Sequence, residues 1–75
     1  MNRETLVAHF SDPAVRDAAF EKAMANGIQV IMVGEGGLIG GDKKPLPRTP
    51  FVMFRGTMME GIHFMQHGAG SCGAV

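Results

Sequence analysis

Between Gly34 and Pro50 the chain places five glycines and three prolines in 17 residues, and no other feature restricts its folding as strongly. Glycine admits backbone conformations that regular elements do not use, and proline removes a backbone donor, so this stretch reads as a long loop. It divides only 75 residues into two denser segments. A domain of this size buries about 60% of the surface its unfolded chain exposes, so neither segment can hold a core alone. The reading is a single small α+β domain over 1–75, with N-terminal helices packed on a short two- or three-stranded sheet and with outside support for a thin core.

In the first segment Asn2 can cap a short helix running through His9, whose Leu6 stands one turn from Phe10. Ser11-Asp12-Pro13 then breaks that helix and starts another, with Ser11 as its cap, Pro13 in the first turn and Phe10 against Val15 as a staple. Asn26-Gly27 ends it. On this second helix Ala19, Phe20, Ala23 and Met24 form the expected buried stripe, while Asp17 and Glu21 lie outside and Asp12 can pair with Arg16. Ala14, Ala18 and Ala25 make a second, small-residue face.

Ile28 to Val33 is β-branched and nearly continuous in apolar residues, as expected of a central strand covered on both faces. Phe51 to Arg55 reads as a second strand. The stretch 57–67 supports two readings. Thr57-x-x-Glu60 is a capping box with Met58, Ile62 and Met65 at helical spacing, which favours a helix. Gly61 inside it, and the run from Ile62 to Met65, would suit a hairpin strand. Gly68 to Val75, with three glycines and no bulky side chain before Val75, is expected to fray.

Seven basic residues balance seven acidic ones, so no overall field steers the chain to nucleic acid or an anionic membrane. No apolar run approaches the roughly 20 residues of a membrane helix. Glu4 stands where a secretory leader carries positive charge, and Cys72 is the only cysteine, which together suggest a cytoplasmic protein or one incorporated into a particle.

Few residues invite chemistry. The glycines after Val33 suggest a phosphate loop, but Gly41 is followed by Asp42 where a lysine is required, and Lys44 to Pro47 cannot open the helix that would face the phosphate. No dinucleotide or other cofactor is implied. Lys43, Lys44, Arg48 and Arg55 form a local basic patch, but without Tyr or Trp it offers a poor platform for bases. Lys44, Pro47, Arg48 and Pro50 fit a basic polyproline ligand, so an arm from Lys43 to Pro50 could dock in a partner's groove, as an inhibitor or adaptor would. His63 and His67 share one face of a helix, and Cys72 could fold back as a third metal ligand. Glycines around Cys72 leave any thiol nucleophile unheld, so an enzyme is not expected.

Seven methionines are many for so short a chain, and most of them cluster late. Methionine fills irregular gaps and recurs at adaptable binding surfaces. Met53, Met58, Met59, Ile62, Phe64 and Met65 are therefore the expected interface for a protein partner or a homo-oligomer. The functional expectation is a non-enzymatic interaction or structural subunit, of the kind found among phage or bacterial accessory and assembly proteins. The alternatives are a small metal-binding protein using His63, His67 and Cys72 and an inhibitor or adaptor presenting the Lys43 to Pro50 arm to a host protein.

Overall fold

The computed structural model describes residues 3–36 and 49–74. The elements are β1 (Glu4–His9), α1 (Pro13–Ala25), β2 (Gln29–Glu35), β3 (Pro50–Gly56), α2 (Met58–Gln66) and β4 (Ser71–Ala74). The strands form one sheet in the order β2-β3-β1-β4, with every neighbouring pair antiparallel. Each helix thus connects two strands that run the same way with a third between them, the doubled split β-α-β arrangement of ferredoxin-like folds. The chain is α+β as expected. The sheet has four strands, however, and one helix rather than two precedes β2.

Both helices lie on one face of the sheet. Leu6 and Ala8 of β1, Val52 and Phe54 of β3, Ala19 and Ala23 of α1 and Phe64 of α2 meet there in one core with Phe10, Ile28 and Ala69. Phe64 is its keystone, with its ring 4.5 Å from that of Phe54 and edge-on to Phe10 at 6.4 Å. The alternate residues of the central strands, Val7, Phe51 and Met53, point to the opposite, helix-free face.

Residues 4–9 form a strand, not the expected helix. The spacing from Leu6 to Phe10 is four, which is one helical turn but also an even number, so it fits a strand face equally. Pairing on both sides decides the matter, with β3 along the whole strand and with β4 from Leu6 to His9.

Asp12, rather than Ser11, caps α1. Its Oδ1 accepts from the Ala14 N–H at 2.7 Å, and Pro13 follows in the first turn. Arg16 does not pair with Asp12. Its Nε donates to Asp17 Oδ1 at 2.9 Å, and an Nη1 donates to the Gly34 carbonyl at 2.6 Å, tying α1 to β2. Ala19 and Ala23 are buried and Phe20 is half-buried, but Met24 lies in solvent.

Both helices close in the same way. Gly27 at φ 78° and Gly68 at φ 109° follow the caps, and the next residues, Ile28 and Ala69, donate back to the Ala23 and Phe64 carbonyls at 3.0 and 2.9 Å. This Schellman closure buries Ile28 and Ala69 against the core and turns the chain into the following strand. It also explains why the glycine-rich tail does not fray. Gly70 N–H donates to the His9 carbonyl at 2.8 Å, and Ser71 to Ala74 continue as β4 beside β1.

The expected central strand is an edge. In β2 the pairing shifts between Val30 and Met32, so that Val30 opposes Phe54 and Val33 opposes Val52 while Ile31 bulges out. The bulge turns both valines towards the helices and leaves Ile31 and Met32 exposed, and it twists an open edge away from pairing with other strands. The ends of the expected loop are strand residues, since Gly34 and Glu35 belong to β2 and Pro50 to β3, with Gly36 N–H donating to the Thr49 carbonyl at 3.0 Å. Residues 37–48 lie outside the described part of the chain.

Candidate interaction surface

The helix reading of 57–67 holds, and its first turn is built as the sequence suggests. Thr57 Oγ1 accepts from the Glu60 N–H at 3.4 Å, Glu60 Oε1 accepts from the Thr57 N–H at 3.1 Å, and Arg3 stands 3.6 Å from the same carboxylate oxygen. The glycine that argued against a helix has a packing reason. A Cβ on Gly61 would stand 3.2 Å from Cys72 Sγ, so its absence lets α2 lie close on β4.

With Gly61 and Phe64 turned inward, the 100° step of a helix points Met59 directly outward and sets Met58, Ile62 and Met65 on the flank away from His63 and His67. These side chains are 59%, 47%, 47% and 69% exposed, respectively. They form an apolar stripe on a nine-residue helix, and no charged residue interrupts it. The six residues of the expected interface therefore divide three ways. Met58, Met59, Ile62 and Met65 share this surface. Phe64 is in the core and cannot contribute. Met53 is half-buried on the helix-free face of the sheet, between Val7 and Met32.

The metal candidates separate as well. His63 and His67 come together on the flank of α2 that faces α1, with ring centroids 4.5 Å apart. Cys72 sits on the other flank, against Gly61, and burial pushes its thiol pKa above the ordinary value. Among the described residues no three His, Cys, Asp or Glu side chains gather closely enough to hold a metal ion. The proposed three-ligand site of His63, His67 and Cys72 is thus not formed.

His67 lines a groove of about 270 Å³ between the helices, together with Ala14, Val15, Ala18, Ala19 and Lys22. The expected small-residue face of α1 supplies its floor through Ala14 and Ala18. Partial burial, followed by the neighbouring His63 and Lys22, lowers the His67 pKa. Lys22 was not singled out by sequence reasoning, because nothing in its spacing links it to a histidine 45 residues later.

Of the proposed docking arm, Lys44, Pro47 and Arg48 lie outside the described residues. Pro50 is a buried residue of β3 whose carbonyl accepts from Phe10 N–H at 2.8 Å, so it serves the sheet and is not free to enter a partner's groove. Sequence reasoning did not anticipate the exposure of Ile31 and Met32, because an unbroken apolar run gives no sign of a bulge.

No helix among the described residues is long and apolar enough to cross a membrane. No protein-family model, curated protein or solved structure matches the chain.

Proposed function

We propose that the chain is a non-enzymatic interaction subunit that binds a second copy of itself through the outer face of α2. The carrying observation is the exposed apolar surface of Met58, Ile62 and Met65, continued outward by Met59. An exposed apolar side chain on its own needs no explanation, but a contiguous set on one short helix marks a contact surface.

A second copy suits this stripe because it is self-complementary. Ile62 stands between Met58, four residues before it, and Met65, three residues after it. A two-fold axis through Ile62 therefore lays Met58 of one copy over Met65 of the other, with the isoleucines meeting at the centre. Methionine side chains adapt to such a seam without demanding one fixed register. The formal net charge of zero leaves no overall repulsion between copies.

Sedimentation velocity or native mass spectrometry at high micromolar concentration tests this reading. A dimer is expected for the natural sequence and a monomer for the folded triple variant Met58→Gln, Ile62→Gln, Met65→Gln. A natural chain that stays monomeric, or a dimer that survives in the triple variant, overturns it.

A further inference from the structure

We propose that His63 and His67 form a two-imidazole chelate on the flank of α2 for a late first-row divalent cation of the nickel or copper type. This site is separate from the apolar stripe and does not depend on it.

The first argument is metric. A metal–nitrogen bond to imidazole is about 2.0–2.1 Å long, and the centre of the ring lies about 1 Å behind the bonding nitrogen. Two imidazoles in adjacent positions at a right angle, as in tetragonal or square-planar coordination, then have ring centres about 4.5 Å apart, whereas a tetrahedral angle spreads them to about 5 Å. The two rings stand 4.5 Å apart on one helical turn, a spacing that one bridging ion can span.

The second argument is an idle donor atom. His63 Nε2 is shielded from solvent and has no hydrogen-bond partner among the described residues. A shielded imidazole nitrogen without a partner carries a desolvation cost that coordination would offset. The His63 ring is held edge-on to Phe64, 5.2 Å away, and Phe64 is fixed in the core. The His63 side chain is thus oriented before any ion arrives.

The surroundings set the class of ion. Imidazole ligands suit nickel, copper and zinc, and affinity rises along the late first-row series to copper. With only two imidazoles and no thiolate, the higher intrinsic affinity of copper and nickel for nitrogen ligands makes them the ions to expect. With Cys72 on the opposite flank, no thiolate completes the set, and the remaining positions fall to water. Lys22, which lines the same groove as His67, opposes a cation and limits the affinity. The site is therefore a labile one.

Isothermal titration of nickel chloride alone into tag-free protein tests the assignment. One ion per chain is expected, with binding weakened about tenfold or more in His63→Ala and in His67→Ala and unchanged in Cys72→Ser. Nickel should also raise the melting temperature of the natural chain and not that of either histidine variant. If an alanine variant fails to fold by circular dichroism, His63→Gln and His67→Gln serve in its place, with the same loss expected. No uptake at millimolar nickel, unchanged affinity in both histidine variants, or loss of binding in Cys72→Ser overturns the proposal.

Discussion

The two helices cover the same face of one sheet but treat water differently. α1 turns Ala19 and Ala23 to the core and shows Asp17, Glu21 and Lys22 outside, with Met24 and Val15 as scattered exposed apolar side chains among them. The shorter α2 turns one large residue, Phe64, to the core and shows three methionines and an isoleucine outside. Small inward residues let α1 lie close to the sheet with little apolar volume at stake. α2 concentrates its contribution in one ring and leaves its remaining apolar surface exposed.

The largest expected effect falls on the residue that carries this contrast. Phe64→Ala removes a fully buried ring from between Phe54 and Phe10 and should cost about 3–5 kcal/mol. A domain of this length holds on the order of 4–11 kcal/mol in total, so the variant should be largely or wholly unfolded in urea titrations that leave the natural chain folded. Ala23→Gly, the matching change in α1, should cost only about 1 kcal/mol. Equal losses at the two positions would contradict the picture of a core hung on α2.

Next in size are the caps, where the helices should behave alike. Asp12→Ala and Thr57→Ala each remove a side-chain acceptor from a first turn and should each cost about 1 kcal/mol. In Thr57→Ala the backbone N–H of residue 57 still donates to Glu60 and the Arg3 contact remains, so the loss in α2 should stay close to that in α1. Chemical denaturation of both variants measures it.

The caps were also the most legible part of the sequence. Local chemistry such as Asp-Pro, Thr-x-x-Glu and the glycines at 27 and 68 acts over three or four residues, and it marked the limits of both helices to within a residue or two. What could not be read was pairing. Whether Leu6 to Phe10 follows a period of four or of two depends on β3 and β4, which lie more than 40 residues away. β4 itself consists of small residues with no strand signal of their own, and it exists because β1 offers it a free edge. The bulge at Ile31 is likewise a consequence of β3 as partner. For the candidate surface, Met58, Met59, Ile62 and Met65 were recoverable from composition and spacing. The assignment of Phe64 to the core required knowing which way α2 faces.

The triple change Met58→Gln, Ile62→Gln, Met65→Gln should alter monomer stability by no more than about 1 kcal/mol per site, because about half of each residue already stands in water. It should nevertheless abolish self-association. Loss of fold in this variant would mean that the stripe supports the domain internally, and would remove the contrast between the helices. Denaturation at low concentration beside sedimentation at high concentration separates the two outcomes.

The smallest effects concern pH, and they test whether β1 and β4 are buried as a pair. His9 and Cys72 lie on these adjacent strands on opposite faces of the sheet, and burial disfavours the charged form of each. For His9 the folded pKa is lowered, so the unfolded chain binds more protons as pH falls below about 6.5, and stability declines on that side. For Cys72 the folded pKa is raised, so the unfolded chain loses its proton first above about pH 8.5, and stability declines there as well. Stability should therefore be flat near neutrality and fall in both directions. His9→Gln should reduce the acid slope without touching the alkaline one, and Cys72→Ser should do the reverse. The His9 ring is held on one side, with Nδ1 3.5 Å from Ser71 Oγ, while its Nε2 has no partner among the described residues, so glutamine can retain the single contact. If β4 instead detaches in solution, both groups titrate as in an open chain. The alkaline slope should then vanish and the acid slope shrink to the part carried by His67 in melting curves taken across pH, and Cys72 should alkylate at the rate of a free thiol.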